Sequence, residues 1–310
     1  MTLEFRTNHT PLVAPGGMEC FARDMTVTIS ADVALSAAQA KLAEFNQWLP
    51  IDGDVQTALG ELVEDNSTGP LRLGYGGWRD LLLGVQFLNG KGELITAGGR
   101  TVKNVAGYDL SKFMVGQRGI FGRLVTLTSR TYRRPVEALL ARFAPDVSFV
   151  NTLMPSPLRP QWCLLTPDSL FCGYLGDERT VEFYRRGLPQ RKLMELRRRP
   201  VDEDVSDRMN LWSAPATHRA AVAPAKIPEF IERAGVQKWA ADAAFGVVKI
   251  FQAADFSKLR SAAEAVGGKV FAESQRLQLD GVYNEAERAL LVRLKQAFDP
   301  DGKLEPLEFK

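Results

Sequence analysis

Residues 100–128 read RTVKNVAGYDLSKFMVGQRGIFGRLVTLT. Glycines stand at 107, 116, 119 and 122, and the stretch closes on the strand-like run Leu124–Thr128. Asp109 is placed to cap a short helix over Leu110–Val115, with Gly116 just past its end. Gly116, Gly119 and Gly122 then fall three apart, immediately before the strand. The order is helix, glycine turn, strand. The dinucleotide fingerprint runs the other way, with glycines that follow a strand and open a helix. Two readings of the turn stand. The glycines punctuate a fold, or they let backbone N–H groups approach an anionic or carbonyl oxygen.

Upstream, LLLGVQFL (81–88) reads as a buried strand, Asn89-Gly90 as a turn and Glu93–Ile95 as the returning strand. Residues 53–80, rich in glycine, read as loop. Met25, Val27 and Ile29 alternate with Thr26, Thr28 and Ser30, which is strand periodicity. Asp32 is the expected cap of a helix whose stripe is Leu35, Ala38, Leu42 and Phe45.

Downstream, Arg133-Arg134-Pro135 breaks the pattern. Beyond it, short strands (138–143, 162–165, 170–174, 245–251) alternate with polar helices (177–186, 256–266). An amphipathic helix follows over 285–298, with Leu290, Leu291, Leu294 and Phe298. The expected organisation is a first domain over 1–135, an α+β domain over 136–270 and a closing segment, 271–310, that returns to the first domain. The fold class is α+β.

The chain has 310 residues, more than one core usually supports. Its net charge of +2 draws it neither to nucleic acid nor to a membrane surface. The basic run Arg185–Arg199 lacks interleaved aromatics and reads as a solvated helix face or subunit contact. No window approaches the length of a membrane span. The N-terminus has no charged start before an apolar run, so no signal peptide is expected. The three cysteines, Cys20, Cys163 and Cys172, form no metal knuckle or disulfide framework. Cys163 and Cys172 can face each other across a hairpin, and both read as small buried hydrophobes. The two histidines, His9 and His218, lie far apart with no partner at metal-ligand spacing, and His218 reads as a helix-start residue. A cytoplasmic location is expected, with any membrane association made through partner subunits.

The quoted stretch resembles the p-cresol methylhydroxylase/vanillyl-alcohol oxidase-type FAD-binding family. KNVAGYDLSKFMVG followed by GIFG is similar to its glycolate oxidase FAD-binding subunits. DMTVTIS, QWLP, TGPLRLGYGGWRDLLLGVQF, SPLRPQ and LKQAFDPDGKLEP extend the likeness from about Asp24 to Pro306. It is dense between Thr68 and Gly122 and looser in the second, cap-type domain.

The resemblance implies FAD lying along two loops. Asn66, Ser67, Thr68 and Gly69 form one, and Gly119, Ile120, Gly122 and Leu124 the other. Lys103, Asn104, Tyr108 and Asp109 belong to the signature. Lys103 is implied as a charge partner of reduced flavin or a subunit bridge, and Asp109 as a helix cap. The resemblance also implies partners: a catalytic FAD-linked oxidase subunit and an iron–sulfur subunit.

Three departures weigh on this expectation. Only some two dozen residues precede the Asp24–Ser30 strand, so the first, pyrophosphate-binding subdomain is expected to be shortened. Glu61, Glu64 and Asp65 stand where relatives tend to have small neutral residues. The chain also shows no set of residues for oxidising a 2-hydroxy acid and no metal site. The expected role is therefore an FAD-binding, electron-transfer or supporting subunit of a glycolate oxidase-type complex, unable to act alone. The alternative is a flavin-free assembly subunit of the same complex.

Overall fold

A computed structural model describes residues 10–100, 109–213, 215–273 and 284–309. Lys103, Asn104, Tyr108 and His9 lie outside the described residues. The chain divides into two compact units. One takes the residues through Thr68, then Gly76–Arg134 and the C-terminal helix; the other takes Gly69–Tyr75 and the residues from Pro135 to Arg276.

The first unit is built on a five-stranded antiparallel sheet in the order Met18–Phe21, Thr26–Ser30, Arg123–Arg130, Leu82–Leu88, Leu94–Gly98. The hairpin read around Asn89-Gly90 is present, with Leu88 opposite Leu94. All of Thr26–Ser30 is buried, because both faces of the strand are covered. Val27 and Ile29 enter the apolar core. On the other face Thr28 Oγ1 meets Thr128 Oγ1 at 3.1 Å, and the fully buried Gln86 accepts from Thr126 Oγ1 and donates to Thr96 Oγ1, each at 3.0 Å. These side chains satisfy one another's hydrogen bonds, which keeps their burial tolerable, while Thr26 Oγ1 on the same face finds no partner among the described residues.

Three expectations for this unit change. The helix Leu35–Ala43 starts from Ala34, and Asp32 instead accepts the N–H of Gly16 at 3.0 Å. Phe45 lies beyond the helix end and is exposed. Residues 53–80 are not all loop: Leu59–Glu64, Arg72–Tyr75 and Trp78–Leu81 are helical. Leu59, Leu62 and Val63 bury one helix face there, too short a run to read through the surrounding glycines.

The second unit holds an eight-stranded antiparallel sheet. Its order is Leu193–Pro200, Glu137–Phe143, Leu170–Gly176, Trp162–Leu165, Trp239–Asp242, Val247–Ile250, His218–Ala221, Lys269–Ala272. Asp146, Asp177 and Asp255 cap the helices Val147–Leu153, Glu178–Gly187 and Phe256–Ala265 through their side chains. His218 is on a strand rather than at a helix start, half-buried and stacked on Phe256 at 5.8 Å.

The basic run is not one helix face either. The helix stops at Gly187, and Leu193–Pro200 is an edge strand. Its charges are laced to acids of the same unit: Arg185 and Arg186 to Glu182, Lys192 to Asp146, Arg197 to Glu203, and Arg198 to Glu137.

Cys163 and Cys172 sit directly opposite each other on neighbouring strands, both fully buried, and burial pushes both thiols up. Cys20 is half-buried, and burial raises its thiol as well. A buried, protonated thiol is inert. At neutral pH a thiol reagent is therefore expected to modify Cys20 alone, slowly, in the native chain, and all three cysteines after unfolding. Native labelling of Cys163 or Cys172, followed by mass spectrometry of the peptides, would contradict this burial.

Candidate functional site

The two loops singled out in the sequence meet in the first unit. The helix Leu59–Glu64 ends with Asn66 in the left-handed region (φ 49°). Asn66 N–H donates to the Val63 carbonyl at 3.0 Å and Ser67 N–H to that of Leu62 at 2.8 Å, which is how such a helix stop is held. The glycine turn then bonds to the same helix end. Gly116 N–H donates to the Val63 carbonyl at 3.0 Å and Arg118 N–H to that of Glu64 at 3.1 Å. Leu124 N–H donates to Glu64 Oε1 at 3.2 Å. Helix carbonyls that lack an intrahelical partner thereby find one in the turn.

Upstream of the turn, Asp109 caps the helix Leu110–Phe113 as expected, accepting Lys112 N–H at 3.2 Å. Inside the turn the organising residue is Gln117, which is 1% exposed. Its Oε1 accepts Phe121 N–H at 2.9 Å and its Nε2 donates to the Gly122 carbonyl at 2.8 Å. Ile120 N–H donates to the Gln117 carbonyl at 3.0 Å. Lys295, on the C-terminal helix, donates from Nζ to the Ile120 carbonyl at 2.9 Å, to that of Glu305 at 2.7 Å and to Asp299 Oδ2 at 2.7 Å. Burial pushes the Asp299 carboxyl up, but Lys295 and the Leu304 and Lys303 amides outweigh it and hold the group below the usual carboxylate range.

Where the helix stop meets the turn, Asp65, Asn66, Arg79, Phe113, Gly116 and Arg118 are among the residues lining a cleft of about 270 Å³. Arg118 has φ 52° and lies 3.8 Å from Asp65. Arg79 donates to the Val115 carbonyl at 3.4 Å. The cleft thus carries two guanidinium groups beside one carboxylate.

Of the residues expected at a cofactor, Asn66 is exposed and lines this cleft. Ser67 and Thr68 are half-buried next to it in sequence, and Gly69 is buried and belongs to the second unit. Gly119 (φ 78°) is half-buried beside Glu305. Ile120, Gly122 and Leu124 are buried, and their backbone groups are bonded within the chain. Sequence reasoning missed Arg79, Phe113 and Gln117, and took Arg118 only as the start of the turn. Arg118 lay inside the quoted stretch, between two of its glycines, but no spacing rule marks a cation there. Among the described residues, no cluster of three metal-ligating side chains is present and no helix is long and apolar enough to cross a membrane.

Glu64 has a raised pKa, first because it is buried; the Leu124 N–H opposes the shift, Asp65 and Glu61 add to it and Arg123 opposes it. A carboxylate whose folded pKa lies above its unfolded value costs stability at high pH, and the cost fades as pH falls through the folded value. Glu64→Gln keeps the acceptor for Leu124. It is expected to raise the unfolding midpoint at about pH 7–8 and to lose that advantage towards about pH 4, near the ordinary glutamate value. A variant less stable than the parent at neutral pH would mean that the charge on Glu64 stabilises the turn.

No family model matches the chain. Over 123 residues it is 34% identical to glycolate oxidase subunit GlcE of Escherichia coli (strain K12), covering 38% of this chain and 35% of that protein. It is 31% identical over 111 residues to D-2-hydroxyglutarate dehydrogenase of Xanthomonas citri pv. viticola, covering 35% of this chain and 24% of that one. It is 26% identical over 149 residues to an uncharacterized FAD-linked oxidoreductase of Mycobacterium tuberculosis, covering 46% and 32%. The chain thus spans roughly a third or less of the length of these curated relatives, 35% at most. Among solved structures, alkyldihydroxyacetonephosphate synthase superposes with a TM-score of 0.70 at 15% identity, over 93% of this chain and 65% of that one, which shows a common fold.

Proposed function

We propose, for a chain that has glycolate oxidase subunits and FAD-linked oxidoreductases among its homologues and the fold of FAD-binding oxidases, that it is a subunit of an FAD-linked 2-hydroxy-acid-oxidising complex. Its role there is to hold FAD and to pass electrons or support their transfer. A catalytic FAD-linked oxidase subunit and an iron–sulfur subunit are its partners. The complex sits in the cytoplasm, and contact with a membrane is made through those partners.

The observation that carries this reading is the junction of the helix stop with the glycine turn. Two segments some fifty residues apart are bonded to each other at the rim of a cleft that carries Arg79 and Arg118. Guanidinium groups are suited to phosphate oxygens. Arg79 and Arg118 would hold the anionic part of FAD, Asn66 would donate to it, and Gly119 would allow its approach. The buried Ile120, Gly122 and Leu124 shape the turn from within. FAD, when bound, supplies the electron-accepting chemistry, and the chain positions it.

One observation favours the flavin-free assembly reading. The turn's N–H groups at Arg118, Ile120, Phe121 and Leu124 are already used inside the chain, and Glu64 supplies the anion that Leu124 meets. Purification of the chain alone and with its neighbouring subunits, with extracted flavin quantified, separates the two. FAD close to stoichiometric at this subunit is expected. Its absence from both preparations would overturn the redox role and leave assembly.

A further inference from the structure

The sheet of the second unit is open at the strand Leu193–Pro200. That strand pairs on one side with Glu137–Phe143, and no strand lies on its other side among the described residues. Alternate residues of an edge strand turn their N–H and C=O groups outward, which makes a template for a further strand. A register shift between Leu193 and Glu195 bounds the template at one end. Pro200, which has no N–H, bounds it at the other. Between them Glu195–Arg199 keeps a regular register with its neighbour.

Beside this edge runs a groove of about 760 Å³. Its walls include Glu178, Arg179, Glu182, Phe183 and Arg186 from the helix Glu178–Gly187, and Arg198 from the edge strand. Phe183 in the groove is 53% exposed and Met194 on the strand 55%, so each end of this face offers apolar surface to a partner. Arg185 and Arg186 share Glu182, each at 2.6 Å. Arg198 lies 2.6 Å from Glu137 and 3.3 Å from Glu178. Arg179 is exposed and has no carboxylate partner among the described residues. Four guanidinium groups thus meet three carboxylates, and the cation left over stands in the groove. On the other face of the strand, Arg197 is held by Glu203 at 3.2 Å. A second copy of the chain fits this edge poorly, because an antiparallel pairing centred on the regular stretch sets Arg197 against Arg197. An acidic strand meets no such repulsion.

We propose that an extended acidic segment of a partner chain docks here as a further strand. Its backbone pairs with Glu195–Arg199, a carboxylate meets Arg179 and an apolar side chain covers Phe183. In strand addition the backbone ladder supplies affinity and the side chains select the partner. The site is independent of whether the chain holds FAD. The test is fluorescence anisotropy of a labelled peptide of alternating glutamate and valine, titrated with the full chain at low ionic strength. Two control peptides accompany it: one with lysine in place of glutamate, and the glutamate peptide with every backbone amide N-methylated. Saturable binding of the glutamate peptide alone is expected. Arg179→Glu should weaken it about fivefold or more at an unchanged unfolding midpoint, since Arg179 is exposed. Phe183→Ala should weaken it in the same direction. Binding of the lysine or N-methylated peptide as tight as that of the glutamate peptide would overturn the site, as would no binding of the latter or full binding by Arg179→Glu. Self-association of the chain that Met194→Lys abolishes would make a second copy the occupant and overturn the acidic partner.

Discussion

Asp204→Ala is expected to destabilise the second unit by about 3–5 kcal/mol, the usual cost of removing one partner from a buried ionic group. Asp204 is fully buried and serves three donors. Trp162 Nε1 reaches Oδ2 at 3.0 Å, Arg208 Nη1 reaches Oδ2 at 2.6 Å, and Arg199 Nη2 reaches Oδ1 at 2.9 Å. Both arginine side chains are 1% exposed. Without Asp204, Arg208, whose guanidinium is 5.6 Å from the Trp162 ring, and Arg199, which also meets the half-exposed Asp207, lose the buried carboxylate they share. Asp204→Asn keeps an acceptor and should cost less than alanine. Urea unfolding followed by tryptophan fluorescence reads both variants. A cost below about 1 kcal/mol for Asp204→Ala, as for a surface pair, would mean that the network is solvated.

Gly122→Ala is expected to be the most damaging substitution in the glycine turn. A Cβ there would lie 2.5 Å from Phe87 Cδ2 and 3.0 Å from the Leu88 carbonyl oxygen. Phe87 is fully buried and packs on Phe298 at 5.8 Å, which in turn stacks on Phe113 and meets Phe121 edge-on. The ring has nowhere to retreat, and overpacking of this kind costs about 1–3 kcal/mol or more. At Gly119 the added Cβ would meet only the Glu305 side chain, at 3.1 Å. The penalty there is the left-handed backbone, about 1–2 kcal/mol. Denaturant midpoints should therefore rank parent, Gly119→Ala, Gly122→Ala from most to least stable. The reverse order would mean that Gly122 is free to face a ligand.

The contrast between these glycines shows how far the sequence could be read. Spacing and punctuation made the turn legible, along with the hairpin around Asn89-Gly90 and the cap at Asp109, because each follows from local backbone chemistry. Spacing does not say that Gly122 turns towards Phe87 while Gly119 turns outward, since that depends on a strand over thirty residues away. The helix Leu59–Glu64 was hidden for a similar reason: its apolar face spans under two turns, and its stop is an asparagine rather than a glycine. Nothing in the spacing of the acids after Pro200 marks one of them as buried. Asp204 and Arg208, one helical turn apart, point inward because Trp162 and Arg199 receive them. The cleft cations Arg79 and Arg118 come from separate segments and meet only when the turn docks on the helix stop.

In the proposed role, this docked junction holds the anionic part of FAD. It is tested most directly by titrating flavin-stripped chain with FAD and following flavin fluorescence, parent beside Arg118→Gln. The expected result is saturable binding that weakens about tenfold or more in the variant, at an unchanged unfolding midpoint. Equal affinity in the two proteins, or no binding by the parent with and without its partner subunits, would contradict it.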